Sequence, residues 1–132
     1  MRAVDTNVLV RLLVRDDARQ AAAAEVFIAQ GAWVSHLVLA ETTWVLGAVY
    51  DLGAKEIATT VEILLGHAQL ALQDAEVVAA ALLLFRKKPS LGFSDCLVLE
   101  IARKAGHLPL GTFDRDLARL GGATSLLPGR PG

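Results

Sequence analysis

At 132 residues the chain has room for one domain, and folding at this size buries roughly two-thirds of the surface of the unfolded chain. Hydrophobic residues make up 54% and charged residues 20%, with a mean hydropathy of +0.46, which excludes a charge-dominated disordered polypeptide. A formal net charge of -1 excludes a global attraction to nucleic acid or anionic membranes, so a polyanion would have to be held by local basic clusters or a cation.

Met1 to Val4 reads as a short strand, and Asp5 interrupts the apolar start too early for an export signal. A helix is predicted from Asn7 to Val14. Asp16 or Asp17 can cap a second, alanine-rich helix from Ala18 to Gln30, which ends at Gly31. Ala32 to Ser35 reads as a strand, Leu37 to Leu52 as a long helix ended by Gly53, and Ala54 to Leu65 as another helix. Gln69 to Gln73 is a further strand, after which Asp74 is placed to cap a helix ending near Arg86. That helix holds the longest apolar run, Val77 to Phe85, well short of the roughly 20 residues a membrane span needs. Lys88 to Gly92 is a loop by its proline and glycine, followed by a helix from Ser94 to Ala105. Leu108 to Thr112 (strand), Asp116 to Leu120 (short helix) and Ala123 to Leu126 (strand) complete one domain over residues 1–127, with 128–132 as a frayed tail.

Strands separated by helices imply βαβ units: an α/β fold with a central, mostly parallel sheet and helices on both faces. Ligands of such sheets sit beyond the carboxyl ends of the strands. Asp5 and Asp114 each fall just after a strand, although each also suits a helix cap. Glu41 shares a helical stripe with Leu37, Val38, Trp44, Val45 and Ala48, which predicts an acid turned toward apolar surroundings. An ion pair or a more exposed helix edge would account for it equally. Asp95 lies in a first helical turn with Val98, Leu99 and Ala102 on its side, where the helix dipole alone would favour an anion.

Two carboxylates 4 Å apart repel by about 4 kcal/mol at an effective dielectric near 20. A cluster of Asp5, Glu41, Asp95 and Asp114 would therefore need a divalent cation to stay ionised and together. Oxygen donors suit Mg²⁺ or Mn²⁺, and such an ion can orient and activate water against a phosphodiester.

These four acids sit in motifs that resemble the PIN-domain family, in particular the VapC-type toxins of prokaryotic toxin–antitoxin pairs. The segment Asp5-Thr6-Asn7-Val8-Leu9-Val10 resembles the family's opening motif. Leu39-Ala40-Glu41-Thr42-Thr43-Trp44-Val45-Leu46 is similar to the second, Gly92-Phe93-Ser94-Asp95-Cys96-Leu97 to the third, and Thr112-Phe113-Asp114-Arg115-Asp116 to the last. Alanine is more usual in the family where Cys96 stands. The resemblance implies a three-layer α/β/α sandwich and Mg²⁺- or Mn²⁺-dependent cleavage of RNA. It makes Asp5 and Asp95 direct metal ligands, with Glu41 and Asp114 serving a second metal or acting through water. Thr6, Asn7 and Thr112 would support that shell; Asp116 is either an extra acid of the site or, the better reading, an exposed first-turn residue. A homodimer and an antitoxin protein that plugs the site, often with a basic side chain, are also implied.

Arg86-Lys87-Lys88 is the one basic run; with Arg11, Arg15, Arg115 and Arg119 it could hold an RNA backbone or be ordinary solvated surface. Trp33, Trp44 and Tyr50 lie in apolar stretches and read as core or dimer contacts, not as an obvious base-stacking platform. His36, His67 and His107 have no ligand spacing. Cys96, the single cysteine, excludes an intrachain disulfide, suits a reducing compartment and reads as a small buried hydrophobe. No phosphate-binding glycine loop is present, so no nucleotide cofactor is expected, and the expected location is cytoplasmic. Two other classes compete with the nuclease. One is a catalytically silent PIN-like module that binds RNA or protein, which retention of all four acids argues against. The other is a phosphoacceptor receiver, which wants adjacent acids after the first strand and a late lysine; here the chain has Asp5-Thr6 and no lysine after Lys104.

Overall fold

The computed structural model describes residues 1–128; the tail expected over 128–132 lies, from 129 onward, outside the described residues. Twelve elements follow in order: β1 (Arg2–Ala3), α1 (Thr6–Val14), α2 (Ala18–Ile28), β2 (Ala32–Val34), α3 (His36–Ala48), α4 (Ala54–Leu65), β3 (Leu70–Leu72), α5 (Ala75–Lys87), α6 (Phe93–Ala105), β4 (Leu110–Thr112), α7 (Arg115–Ala118) and β5 (Ala123–Ser125). Every predicted element is present, with ends shifted by a few residues at most.

Parallel pairing joins β1, β2 and β3 in that order, with Arg2 opposite Ala32 and Ala32 opposite Leu70. β4 and β5 pair in parallel as a second, two-stranded unit, with Leu110 opposite Ala123. The fold is thus the helix-rich α/β/α arrangement that the alternation of elements predicts, with its parallel strands in two hydrogen-bonded groups. Each connection between paired strands carries helix, as parallel pairing requires.

Caps fix the helix starts. Asp17, not Asp16, caps α2, accepting from the amides of Arg19 and Gln20. Ser35 caps α3 through Val38, and Glu56 reaches back to the Gly53 amide at the head of α4. Asp74 occupies the cap position of α5 but does not cap: its backbone is left-handed (φ 41°) and its side chain instead accepts from Lys104 Nζ at 2.7 Å. With that backbone, the carboxylate serves a cation from α6 in place of the α5 amides.

The core gathers Leu9 from α1, Val34 from β2, Leu39 and Leu46 from α3, Val61 and Leu64 from α4, Val78 and Phe85 from α5, and Leu97 and Leu99 from α6. Phe85 meets Phe93 edge-on at 5.9 Å between centroids, tying the end of α5 to the start of α6. No described helix is long and apolar enough to cross a membrane.

The orientation of α3 departs from expectation. Its buried face is Leu39, Thr42, Thr43 and Leu46, whereas Leu37 (68% exposed), Glu41 and Trp44 (67%) face outward. The two threonines enter the core because their hydroxyls donate to carbonyls of their own helix, Thr42 to Val38 at 2.7 Å and Thr43 to Ala40 at 2.9 Å. Glu41 is accordingly an exposed acid, not one trapped among apolar side chains. Trp44 is not a core residue.

Candidate active site

Asp5 follows β1 and heads α1, where its Oδ1 accepts from the Val8 amide at 3.2 Å. Asp114 follows β4 and heads α7 in the same way: its Oδ1 accepts from the Leu117 amide at 2.9 Å, and Thr112 Oγ1 accepts from the Asp114 amide at 3.0 Å. The capping role and the sheet-edge placement are therefore both realised. A cap bond engages one carboxylate oxygen and fixes the rotamer, which leaves Oδ2 of each acid for another partner.

Glu41 is held from outside its own helix. Thr6 Oγ1, next to Asp5, donates to Glu41 Oε2 at 2.9 Å across 35 positions of sequence. Asp95 sits in the first turn of α6, half-buried. Burial pushes its carboxyl above the ordinary carboxylate value, the neighbouring Asp114 charge pushes in the same direction, and a backbone hydrogen bond at Gly92 offsets part of this. Two links run between the segments that carry the acids: Thr6, the neighbour of Asp5, donates to Glu41, and the Asp114 charge acts on Asp95, while α1 packs on α3 and α3 on α6. Among the described residues no group of three or more His, Cys, Asp or Glu side chains stands close enough to hold an ion together.

Arg11 pairs with Asp16, Arg15 with Glu25, Arg86 with Glu62, Arg103 with Glu100, Lys104 with Asp74 and Glu76, and Arg119 with Asp116. Among the described residues no basic side chain pairs with Asp5, Glu41, Asp95 or Asp114. Asp17, Asp51 and Glu56 are likewise in no ion pair among the described residues, so the lack of a basic partner is shared with other acids of the chain; carboxylate oxygens of this kind are the hard donors that a divalent cation takes.

Other predicted residues fall as follows. Asn7 is exposed and lines a groove of ≈ 530 Å³ that includes Asp5. Arg11 is engaged internally, donating to Gln20 Oε1 at 2.6 Å, Asp16 Oδ1 at 2.9 Å and the Tyr50 hydroxyl at 3.0 Å. Tyr50 in turn donates to Asp16 Oδ2 at 2.9 Å, a polar bridge that an apolar sequence context did not signal. Lys87, Lys88 and Arg115 are exposed, and Asp116 is an exposed first-turn acid, 3.9 Å from Arg119. Cys96 is fully buried, its thiol pushed up to about 11 by burial and by Asp95 and Glu100. His36 Nε2 is buried without a hydrogen-bond partner in the structure, and His67 Nδ1 accepts from the Gln69 amide.

Comparison with protein families matches the PIN domain over residues 2–123, nearly the whole chain. The chain belongs to the PIN domain family. PIN domains are generally nucleases and typically use divalent metals, so membership places the chain on a nuclease-type fold and makes it a hydrolase in general terms. Comparisons with curated proteins and with solved structures give no match.

Proposed function

We propose that this PIN domain is a Mg²⁺- or Mn²⁺-dependent endoribonuclease and the toxin of a type II toxin–antitoxin pair. One observation carries the nuclease reading: the chain matches the PIN domain over residues 2–123, within which Asp5, Glu41, Asp95 and Asp114 fall in the four segments that resemble the family's motifs. Asp5 and Asp95 would hold the cation directly, and Glu41 and Asp114 would complete the shell or act through water. Such an ion would polarise a phosphodiester and lower the pKa of bound water. The chain's own contribution is positioning. The Val8 and Leu117 amides fix Asp5 and Asp114, and Thr6 fixes Glu41. Asp95, half-buried beside another acid, gains most from a neutralising charge.

The toxin assignment is supported by the likeness of the Asp5-Thr6-Asn7 and Glu41-to-Leu46 segments to VapC-type chains. An antitoxin that inserts a basic side chain would find the uncompensated acids a complementary target, and the cytoplasm is the compartment where such a pair would act. A homodimer belongs to the same reading.

Single-stranded RNA should be cut with Mn²⁺ or Mg²⁺ and not with EDTA, and Asp5→Asn or Glu41→Gln should lower the rate at least ~100-fold. Cutting that persists in EDTA, or that survives both substitutions, defeats the mechanism. The toxin role predicts growth arrest on expression, absent with Asp5→Asn and relieved by the product of an adjacent gene. The silent-module reading draws on the lack, among the described residues, of any three acids poised together; RNA binding without cleavage in any divalent metal would favour it.

A further inference from the structure

Beside the acids lies a cleft of ≈ 370 Å³ that the nuclease mechanism does not use. Its lining includes Trp44 of α3, Pro89 and Ser90 of the α5–α6 loop, and Ser94 at the start of α6, over an apolar floor containing Phe85 and Phe93. Trp44 is 67% exposed and stands one helical turn beyond Glu41 on the same outward face. Ser94 is the neighbour of Asp95. The lining of the cleft therefore adjoins Glu41 along α3 and Asp95 along α6. Its loop wall is entered through Lys87 and Lys88, exposed and, among the described residues, in no ion pair, while the adjacent Arg86 is tied to Glu62 at 2.7 Å.

An exposed indole has no need of a location beside a charged centre, and its outward position on α3 costs the hydrophobic gain of burial. A flat aromatic face and hydroxyls lining the cleft, with exposed ammonium groups just ahead of its loop wall in the chain, match a single-stranded polynucleotide, whose bases stack and whose phosphates are anionic. We propose that Trp44 is a stacking platform for an unpaired base flanking the cleaved bond, with Lys87 and Lys88 holding the adjoining phosphates. The proposal rests on the nuclease reading for its place in a reaction, but it assigns a binding subsite to residues outside the acid cluster.

The test separates the two readings. The chain has two tryptophans, so in a Trp33→Phe background the fluorescence reports Trp44 alone. Titration of this full-length variant with a uridine octamer in EDTA, where metal-dependent cutting is silent, should quench the emission in a salt-dependent way. Trp44→Ala should weaken octamer binding by roughly 5- to 150-fold and raise KM for cleavage with kcat little changed, with Trp44→Phe recovering part of the loss. Lys87→Ala with Lys88→Ala should flatten the salt dependence of binding. Quenching without cleavage in any divalent metal would leave the subsite standing and remove the nuclease reading. Cleavage in Mn²⁺ with no quenching at saturating octamer would overturn the subsite and leave the nuclease. A Trp44→Ala chain that changes sedimentation from dimer to monomer, with octamer binding unaltered, would likewise overturn it and make this face a contact between copies.

Discussion

Thr6 and Glu41, 35 positions apart, are joined by a 2.9 Å hydrogen bond that links the start of α1 to the middle of α3. An exposed glutamate on a helix ordinarily samples several rotamers. Here a β-branched residue with a restricted χ1 donates to its carboxylate and narrows that range. Thr6→Val removes the donor at nearly constant shape, so stability should fall by about 1 kcal/mol or less, since the bond is solvent-accessible. Metal-dependent cleavage should drop by roughly 3- to 10-fold, and Thr6→Ser should restore it. Equal rates for the Val and Ser variants would show that Glu41 needs no such support.

The double use of Asp5 and Asp114 gives a separable pair of effects. Asparagine caps a helix about as well as aspartate, whereas alanine costs roughly 1 kcal/mol. Asp5→Asn and Asp114→Asn should therefore leave thermal stability close to that of the parent while lowering cleavage. The alanine variants should lose both, and Asp114→Ala should also loosen α7, a helix of four residues whose buried anchor is Leu117. Thermal melts beside rate measurements check this. An Asn variant as unstable as its Ala counterpart would show that the charge itself holds the fold.

Much of the fold was legible because local chemistry and hydrophobic pattern agreed. α4 runs from Ala54 to Leu65 as read from Gly53 and the apolar spacing, and α6 closes at Gly106 in the left-handed conformation its position suggests. The facing of α3 was not legible. Leu37 and Trp44 on one side and Thr42 and Thr43 on the other make the hydrophobic pattern point outward, and the satisfaction of threonine hydroxyls by their own helix leaves no trace in composition. The four acids were readable as motif positions, but their lack of basic partners was not. Pairs such as Asp74–Lys104 connect residues 30 apart, so which acids remain uncompensated emerges only in three dimensions.

Cys96 offers a check on the interior behind Asp95. Its thiol is fully buried and pushed up to about 11, so at pH 8 only about one in a thousand is ionised. In the native protein a thiol-specific alkylating reagent should react on the timescale of unfolding, and within minutes once denaturant is present. Rapid labelling of folded protein would mean that the start of α6 opens far more readily than its packing implies. Cys96→Ala should leave cleavage within about twofold, at a cost in stability of about 1 kcal/mol.

Asp95 should destabilise the metal-free protein in the act of building the site. Its carboxyl is raised by burial first and by Asp114 second, so the folded state keeps the proton to higher pH than the unfolded chain does. Between the ordinary carboxylate value and this raised one the native state binds more protons, and stability falls as pH rises through that window; above it the penalty is constant. The favourable dipole of the first turn of α6 is part of the same balance and is outweighed, because the net shift is upward. Asp95→Asn should therefore melt higher than the parent at neutral pH without metal, with the difference fading as pH falls below the ordinary carboxylate range. Saturating Mg²⁺ or Mn²⁺ should reverse the order, since a ligand that binds only the folded parent stabilises it by about 2.7 kcal/mol at 100 times Kd while the Asn variant gains far less. A parent chain whose melting temperature ignores both metals would mean that these acids hold no ion.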